Sequence, residues 1–388
     1  MNKYILKDLL EIKNGKDHKH IENGGIPIFG SGGIMRFGNQ SLYEDESILL
    51  PRKGTLSNIQ YTNKPFWTVD TIYYSIVDKK KANAYYLYNY LKQLDLSYLN
   101  SGTGVPSMTF GAYYDIKVQL PELKSQSQIA KVLSDLDAKI ELNNKINSEL
   151  EAMAKLIYDY WFVQFDFPNE DGKPYKSSGG KMVWSEELKR EIPEGWEVKE
   201  LDKIIEVKDG THDSPKSKDK GFPLITSKNL KATGLDFNEA NLISKEDYDS
   251  INKRSQVETG DILFSMIGNI GTIYKVEETV IEFAVKNVAI FKTSHILKYK
   301  NFIYMFLKSI DMERYMKNVV SGSIQKFIGL GSLRKTPIFQ NEIFIEKYDN
   351  LTDSIFKNLE KNKIENQKLS ELRDWLLPML MNGQVKVG

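Results

Sequence analysis

The feature that most constrains this chain is that its pattern is written twice, in the same order, along one polypeptide. The run Leu9–Gly15 (LLEIKNG) returns as Ile204–Gly210 (IIEVKDG), and Ile26–Ile34 returns as Phe222–Leu230. SILL before Pro51 returns as DILF before Ser265, and the stretch from Val69 returns from Val285. Tyr86–Lys92 (YLYNYLK) matches Phe302–Lys308 (FIYMFLK), and Ser101-Gly102-Thr103 matches Ser321-Gly322-Ser323. The offset drifts only from about 195 to about 220 residues, as loop insertions would cause, so the chain is a tandem duplication.

Each copy reads as mixed α/β. Short β-branched and aromatic runs (SILL, TIYYSIV, DILFSMI, NVAIFK) bounded by Gly, Asn and Pro predict strands. Ala84–Leu94 and Phe302–Ile310 carry an apolar spacing that predicts one helix per copy. After each copy the pattern changes to alternating spacings of three and four. It selects Leu133, Leu136, Ile140, Asn143, Asn147, Leu150, Ala154 and Ile157, and later Ile355, Leu359, Asn362, Asn366, Leu369, Arg373, Leu376 and Leu380. That is a coiled-coil seam, and some 35 residues at 1.5 Å each give a rod of roughly 50 Å. A lone helix lying on its own domain would also satisfy such a stripe. The matched asparagines favour pairing of the two rods, because a buried Asn costs stability and is kept where it sets register and partner; Asn143, Asn147, Asn362 and Asn366 are the expected register residues. An antiparallel pairing predicts a pseudo-twofold molecule. The boundaries that follow are a domain over 1–121, a long helix over 122–164, a connector over 165–195, a second domain over 196–340, and a second long helix with a tail over 341–388. The aromatic residues of the connector (Phe165, Phe167, Tyr175, Trp184, Trp196) predict that it packs on its surroundings.

Residue chemistry excludes much. Cysteine is absent, so there is no disulfide, thiolate nucleophile or cysteine metal site, and the four histidines leave little for a histidine site. No phosphate-loop string occurs, and Met35 stands where the third glycine of a dinucleotide loop would follow Gly30 and Gly32. Glu11-x-Lys13 and Glu206-x-Lys208 share a repeat position and form half of a metal-nuclease motif, but Asp8 lies too close to supply the other half; a strand with surface charges is the simpler reading. His18-x-His20 has no counterpart in the second copy. No catalytic residue and no metal ligand is therefore assigned. No apolar run reaches the roughly 20 residues of a membrane span, and the early charges argue against a signal peptide, so a cytoplasmic protein is expected.

What remains is a binder. Residues 1–120 carry 14 basic against 11 acidic side chains and 196–340 carry 22 against 19, whereas 121–195 carries 10 against 14. Two faintly basic domains on a rod suit a duplex read at two places, with Arg or Lys for guanine, Asn or Gln for adenine, and Lys or Ser for phosphate. The expected DNA contacts are Ser31, Gly32, Arg36, Arg52, Lys53, Ser101 and Thr103 in the first copy. In the second they are Lys216, Lys218, Lys228, Asn229, Ser321, Ser323, Gln325 and Lys326.

The arrangement resembles the specificity (S) subunit of a type I restriction–modification enzyme. The resemblance spans essentially the whole chain. It is carried by the connector from Phe165-Asp166-Phe167-Pro168-Asn169 through Val183, by Ile192-Pro193-Glu194-Gly195-Trp196, by Pro27–Gly33, by the Ser-Gly-Thr/Ser tripeptides and by LRDWLLPMLMNGQV near the C-terminus. It implies an α+β fold of two tandem target recognition domains and two long helices paired as an antiparallel coiled coil. It further implies a non-catalytic subunit that reads a bipartite, asymmetric sequence in double-stranded DNA, with the helices as ruler and as docking surface. The implied partners are two methyltransferase subunits and motor–nuclease subunits, with S-adenosylmethionine, ATP and Mg on those partners and no cofactor here. One departure from the family pattern is that Arg52 follows the first GDIL-like strand whereas Met266 follows the second, which leaves Lys228 or Lys326 to supply the cation there. A modification-only system, a metal-dependent nuclease using Glu11 and Glu206, and a protein-binding coiled-coil scaffold are the alternatives.

Overall fold

The computed structural model describes residues 1–388 except 103, 232–233, 297, 323–325, 386 and 388. It divides into two units, one of Met1–Asn144 with Ile364–Gly388 and one of Lys145–Lys363.

In the first unit a four-stranded antiparallel sheet runs in the order Leu10–Asn14, Ile72–Val77, Ser47–Pro51, Gln60–Thr62. A three-stranded sheet centres on Asn23–Gly30, antiparallel to Gly33–Gly38 and parallel to Trp67–Thr68. Asn2–Ile5 pairs with Lys117–Leu120. The second unit repeats this order strand for strand. Its four-stranded sheet runs Val207–Asp209, Val288–Phe291, Ile262–Ser265, Ile273–Lys275, and Phe222–Ile225 lies between antiparallel Asn241–Ile243 and parallel Ala284–Val285. Glu197–Glu200 pairs with Pro337–Gln340. Equal strand order, equal strand sense and equal crossover between sheets are the structural counterpart of the sequence repeat.

The repeated glycine has a steric cause. A Cβ built on Gly15 would lie 1.9 Å from the carbonyl oxygen of Val69, and one on Gly210 would lie 2.1 Å from that of Val285. The chain passes so close to its neighbour here that only hydrogen fits. Gly15→Ala and Gly210→Ala are each expected to destabilise their own unit by about 1–3 kcal/mol, the usual cost of forced overpacking; segment-resolved hydrogen exchange would show protection lost in one unit and kept in the other.

The two long helices, Leu123–Tyr158 and Glu342–Met381, contribute to both units. In the first unit Asn143 Nδ2 donates to Asn366 Oδ1 at 2.9 Å and to Glu365 Oε2 at 2.8 Å, and Asn366 Nδ2 donates to Asn144 Oδ1 at 2.8 Å. Arg373, the charged seam position, meets Asp137 at 2.7 Å. In the second unit Asn362 Nδ2 donates to Asn147 Oδ1 at 2.9 Å, and Tyr348 OH reaches the carbonyl of Ala154 at 3.1 Å. In each case a later residue on one helix meets an earlier one on the other, so the pairing is antiparallel. Each seam asparagine finds an amide partner, which is the condition under which a polar group in a helix interface is tolerated.

The second unit has the larger core, and the connector supplies much of it. Phe165, Phe167 and Trp196 are buried; Trp196 stacks on Phe167 at 5.1 Å, and Phe344 lies 4.1 Å from Phe167. Arg190 sits 4.6 Å over the Phe165 ring and pairs with Asp311 at 3.1 Å. Trp184 departs from the expectation for the connector aromatics, since it is exposed at the hairpin Met182–Ser185/Arg190–Pro193.

A buried carboxyl joins the second long helix to its domain. Asp349 accepts from the backbone N–H groups of Asn301 and Phe302 at 3.2 and 2.9 Å, at the start of the helix Lys300–Leu307. Burial raises its pKa to about 7, against the lowering effect of those two donors. The folded-state value lies above the unfolded one, so the stability it contributes is complete below about pH 4 and is lost as pH rises through about 7. Asp349→Asn should remove that loss: the difference in Tm between variant and parent should shift in favour of the variant from pH 4 to pH 8, and a pH-independent difference would contradict it.

Candidate nucleic-acid interface

In the first unit three loops are drawn to one place by backbone bonds. The backbone N–H groups of Arg52 and Lys53 donate to the carbonyl of Thr71 at 2.9 and 3.1 Å, the Gly54 N–H donates to Pro106 O at 2.9 Å, and Lys53 bridges to Ser107. Gly54 takes φ +89°, and a Cβ there would come within 3.1 Å of Ser31 Oγ. Asn58 Nδ2 and Gln60 Nε2 hold the hairpin tip through the carbonyls of Ser31 (2.8 Å) and Gly30 (3.0 Å). The structure thus brings Ser31, Gly32, Arg52, Lys53 and Ser101 onto one surface. Ser101 closes its loop on Ser107 (N–O 2.9 Å), and Gly32 is exposed with open space around it. Arg52 lies 5.9 Å over the Tyr73 ring and donates only to Asp70 O at 3.3 Å, which leaves most of its guanidinium donors free among the described residues. Thr103 lies outside the described residues.

Arg36 has a structural role beside the contact expected of it. Its guanidinium donates to the carbonyls of His18 (2.5 Å) and Ile21 (2.9 Å) and to His18 Nδ1 (3.3 Å). It ties the loop 16–21 to the strand Gly33–Gly38 through Nε and Nη2, while Nη1 makes no hydrogen bond among the described residues.

In the second unit the same loops converge, with different residues. Ser321 and Phe327 exchange two backbone bonds of 2.9 Å, Ile267 bridges to Phe327, and the Gly268 N–H reaches Lys326 O at 3.4 Å. These loops line a groove of about 490 Å³ with Asn269, Lys317, Gly322 and Lys326 on its walls. Lys326, Lys228 and Ser321 are exposed, and Ser323 and Gln325 lie outside the described residues. Lys216 and Lys218 lie on the exposed loop after Thr211, where Lys218 bridges to Leu242; among the described residues no contact joins them to the groove. Met266 is buried, so no cation replaces Arg52 at that repeat position.

Asn229 corrects the expectation for it. It is fully buried, its Oδ1 accepts from the Thr226 N–H (2.9 Å) and hydroxyl (2.7 Å), and its Nδ2 donates to Asp236 O (3.1 Å). It holds the turn that presents Lys228 and is itself out of reach of a duplex. Residues that sequence reasoning missed lie beside that turn: Lys286, Asn287, His212 and Ser214. Ser227 Oγ donates to Asn287 O at 3.4 Å, Lys286 bonds Ser214 Oγ, and Asn287 Oδ1 lies 2.7 Å from His212 Nδ1. The one signal for them is position, since Lys286 and Asn287 fall between two repeat-matched strands.

Each Glu-x-Lys pair is paired within itself. Lys13 bonds Glu11, and Lys208 meets Glu206 at 3.1 Å, all along exposed or half-exposed strand faces. Among the described residues no helix is long and apolar enough to cross a membrane.

Comparison with known proteins agrees with this geometry. The family described as "Type I restriction modification DNA specificity domain" matches residues 1–152. The Type I restriction enzyme MjaIX specificity subunit of Methanocaldococcus jannaschii is 25% identical over 357 residues, covering 89% of this chain and 79% of that protein. The HindI specificity subunit of Haemophilus influenzae is 24% identical over 362 residues, covering 74% and 72%. The crystal structure of a type I S subunit from M. genitalium superposes with a TM-score of 0.56 at 16% identity, covering 98% of this chain and 95% of that one, and so shares its fold. Residues 1–152 therefore match the family of type I restriction–modification DNA specificity domains, and the chain carrying them is similar along most of its length to the specificity subunits of type I restriction enzymes.

Proposed function

We propose that this chain is the non-catalytic DNA-specificity subunit of a type I restriction–modification complex, reading a bipartite, asymmetric target with one domain per half. The observation that carries the reading is the repetition itself: two domains of identical strand order bring the same loops together, and those loops differ in sequence. Equal scaffolds with unequal loops suit two unlike half-sites, because base contacts come from loop side chains while the scaffold only positions them.

The paired helices serve as the ruler between half-sites and as the surface for partners. In support of docking, both helices leave large apolar side chains in water: Leu142, Leu372 and Trp375 in the first unit, and Met153, Leu156, Ile343 and Leu351 in the second. Two methyltransferase subunits, which would bring S-adenosylmethionine, fit that surface, with ATP- and Mg-dependent motor–nuclease subunits completing restriction. A cytoplasmic location follows from that role.

The test is binding of the assembled complex to duplex DNA across a salt series. Phosphate contacts release counterions, so log K should fall with log salt at a slope of about −0.9 per contact. Binding that ignores salt and DNA sequence would instead support a protein-binding scaffold.

A further inference from the structure

We infer that Asn287 is a specificity-determining residue of the second domain, clamped by His212 so that the free edge of its carboxamide is presented to a base edge. The inference rests on the DNA-reading function proposed above and names the group that carries it out where Arg52 has no counterpart.

Three non-glycine residues among those described have a left-handed backbone: Phe165, Lys189 and Asn287. Phe165 is buried in the connector core and Lys189 turns a hairpin. Asn287, at φ 52°, sits on the corner where the chain leaves the three-stranded sheet at Val285 and enters the four-stranded sheet at Val288. Asparagine tolerates that conformation better than most residues. The corner is held on both sides: the Asn287 N–H donates to Thr211 O at 3.2 Å, and its carbonyl accepts from Ser227 Oγ at 3.4 Å.

The side chain is held as well. Asn287 Oδ1 lies 2.7 Å from His212 Nδ1, and His212 Nε2 lies 2.8 Å from Asp209 Oδ2. Asp209 is mostly buried and lies 3.6 Å from Arg254, which also donates to Gly210 O at 2.9 Å. A relay of Arg254, Asp209 and His212 thus fixes one edge of the carboxamide. The other edge has no partner among the described residues, and the residue is half exposed.

An amide with both edges free reads adenine bidentately; one with a single edge free makes one hydrogen bond and so discriminates at one position of a base edge. Lys228 and Lys286 flank it and suit phosphate. In the first unit the matching position is Thr71, whose carbonyl supports the Arg52 loop. In the second unit the loop has Met266 buried in place of that arginine, and the corner residue carries the polar group instead.

The experiment selects bound duplexes from a randomised pool, using the complex of the full chain with its methyltransferase partner. Asn287→Gly keeps the left-handed backbone without the carboxamide, Asn287→Asp keeps the shape but offers only acceptors, and His212→Ala frees the clamp. Asn287→Gly should relax one base pair of one half-site by about tenfold, with the other half-site unchanged. Asn287→Asp, which can only accept, should favour a base with an exposed amino group at that pair. His212→Ala should blur that same pair and no other, a pattern that general destabilisation does not produce. If the parent enriches a bipartite motif and all three variants enrich it unchanged, Asn287 does not read DNA while the proposed function stands. If the parent enriches no motif, the proposed function falls and this inference with it.

Discussion

Replacing Lys292 with methionine is expected to cost the second unit about 3–5 kcal/mol, the usual result of leaving a buried charge without its partner. Lys292 is 2% exposed and its Nζ lies 2.5 Å from Asp261, which is fully buried, and 2.6 Å from Glu258. Asp261 also accepts from the Ser294 hydroxyl at 2.6 Å and from the Glu258 N–H at 2.8 Å, so the network closes the end of the central strands Ile262–Ser265 and Val288–Phe291. The lysine removes the charge conflict between two carboxylates. Without it, the buried Asp261 carboxylate is left beside Glu258 with no cation to pair with. Urea unfolding followed by segment-resolved hydrogen exchange should show earlier opening within Lys145–Lys363 and an unchanged first unit. Lys292→Met combined with Asp261→Asn should recover much of the loss, since no isolated charge remains. The hydrogen bond from Lys292, with His295 and Ser294 assisting, depresses Glu258 to about pKa 2. Its stabilisation is therefore present above about pH 4.5 and is lost as pH falls toward 2.

Inserting one heptad into each long helix is expected to move the recognised half-sites apart without changing either. Seven residues at 1.5 Å add about 10 Å, roughly three base-pair steps. A heptad keeps the seam in phase, so the asparagine pairs Asn143–Asn366 and Asn147–Asn362 can both survive if the insertions fall outside them. The parent target should then lose specific binding by a factor of about 10³ or more, the scale that separates specific from non-specific affinity. Selection from a randomised pool should return the same two halves around a wider gap. Altered halves with an unaltered gap would contradict the ruler.

The strands and the seam were legible because both depend on apolar periodicity that burial preserves in each copy. Leu10, Ile12, Leu49, Val207, Leu263 and Ile290 are all buried, and every seam residue named from spacing is at least partly covered. Gly15 and Gly210 recur because a neighbouring carbonyl leaves no space for a side chain. The polar helix Lys245–Ser255 escaped sequence reading because its residues carry almost no apolar stripe; Ser244 starts it by accepting from the Asp247 N–H. The loop chemistry escaped for a different reason. Arg36 and Asn229 have the composition of DNA contacts, and only the folded chain shows the carbonyls and hydroxyls that occupy them. Asn287 and His212 stand 75 residues apart and are joined by the crossover between sheets, which no local pattern encodes.

The most direct test of the whole account is to co-express the chain with a methyltransferase subunit that assembles with it and to map N6-methyladenine across the host genome by single-molecule sequencing. The expected result is one methylated motif made of two unlike halves separated by a fixed gap. A stable complex that leaves no such motif would contradict it.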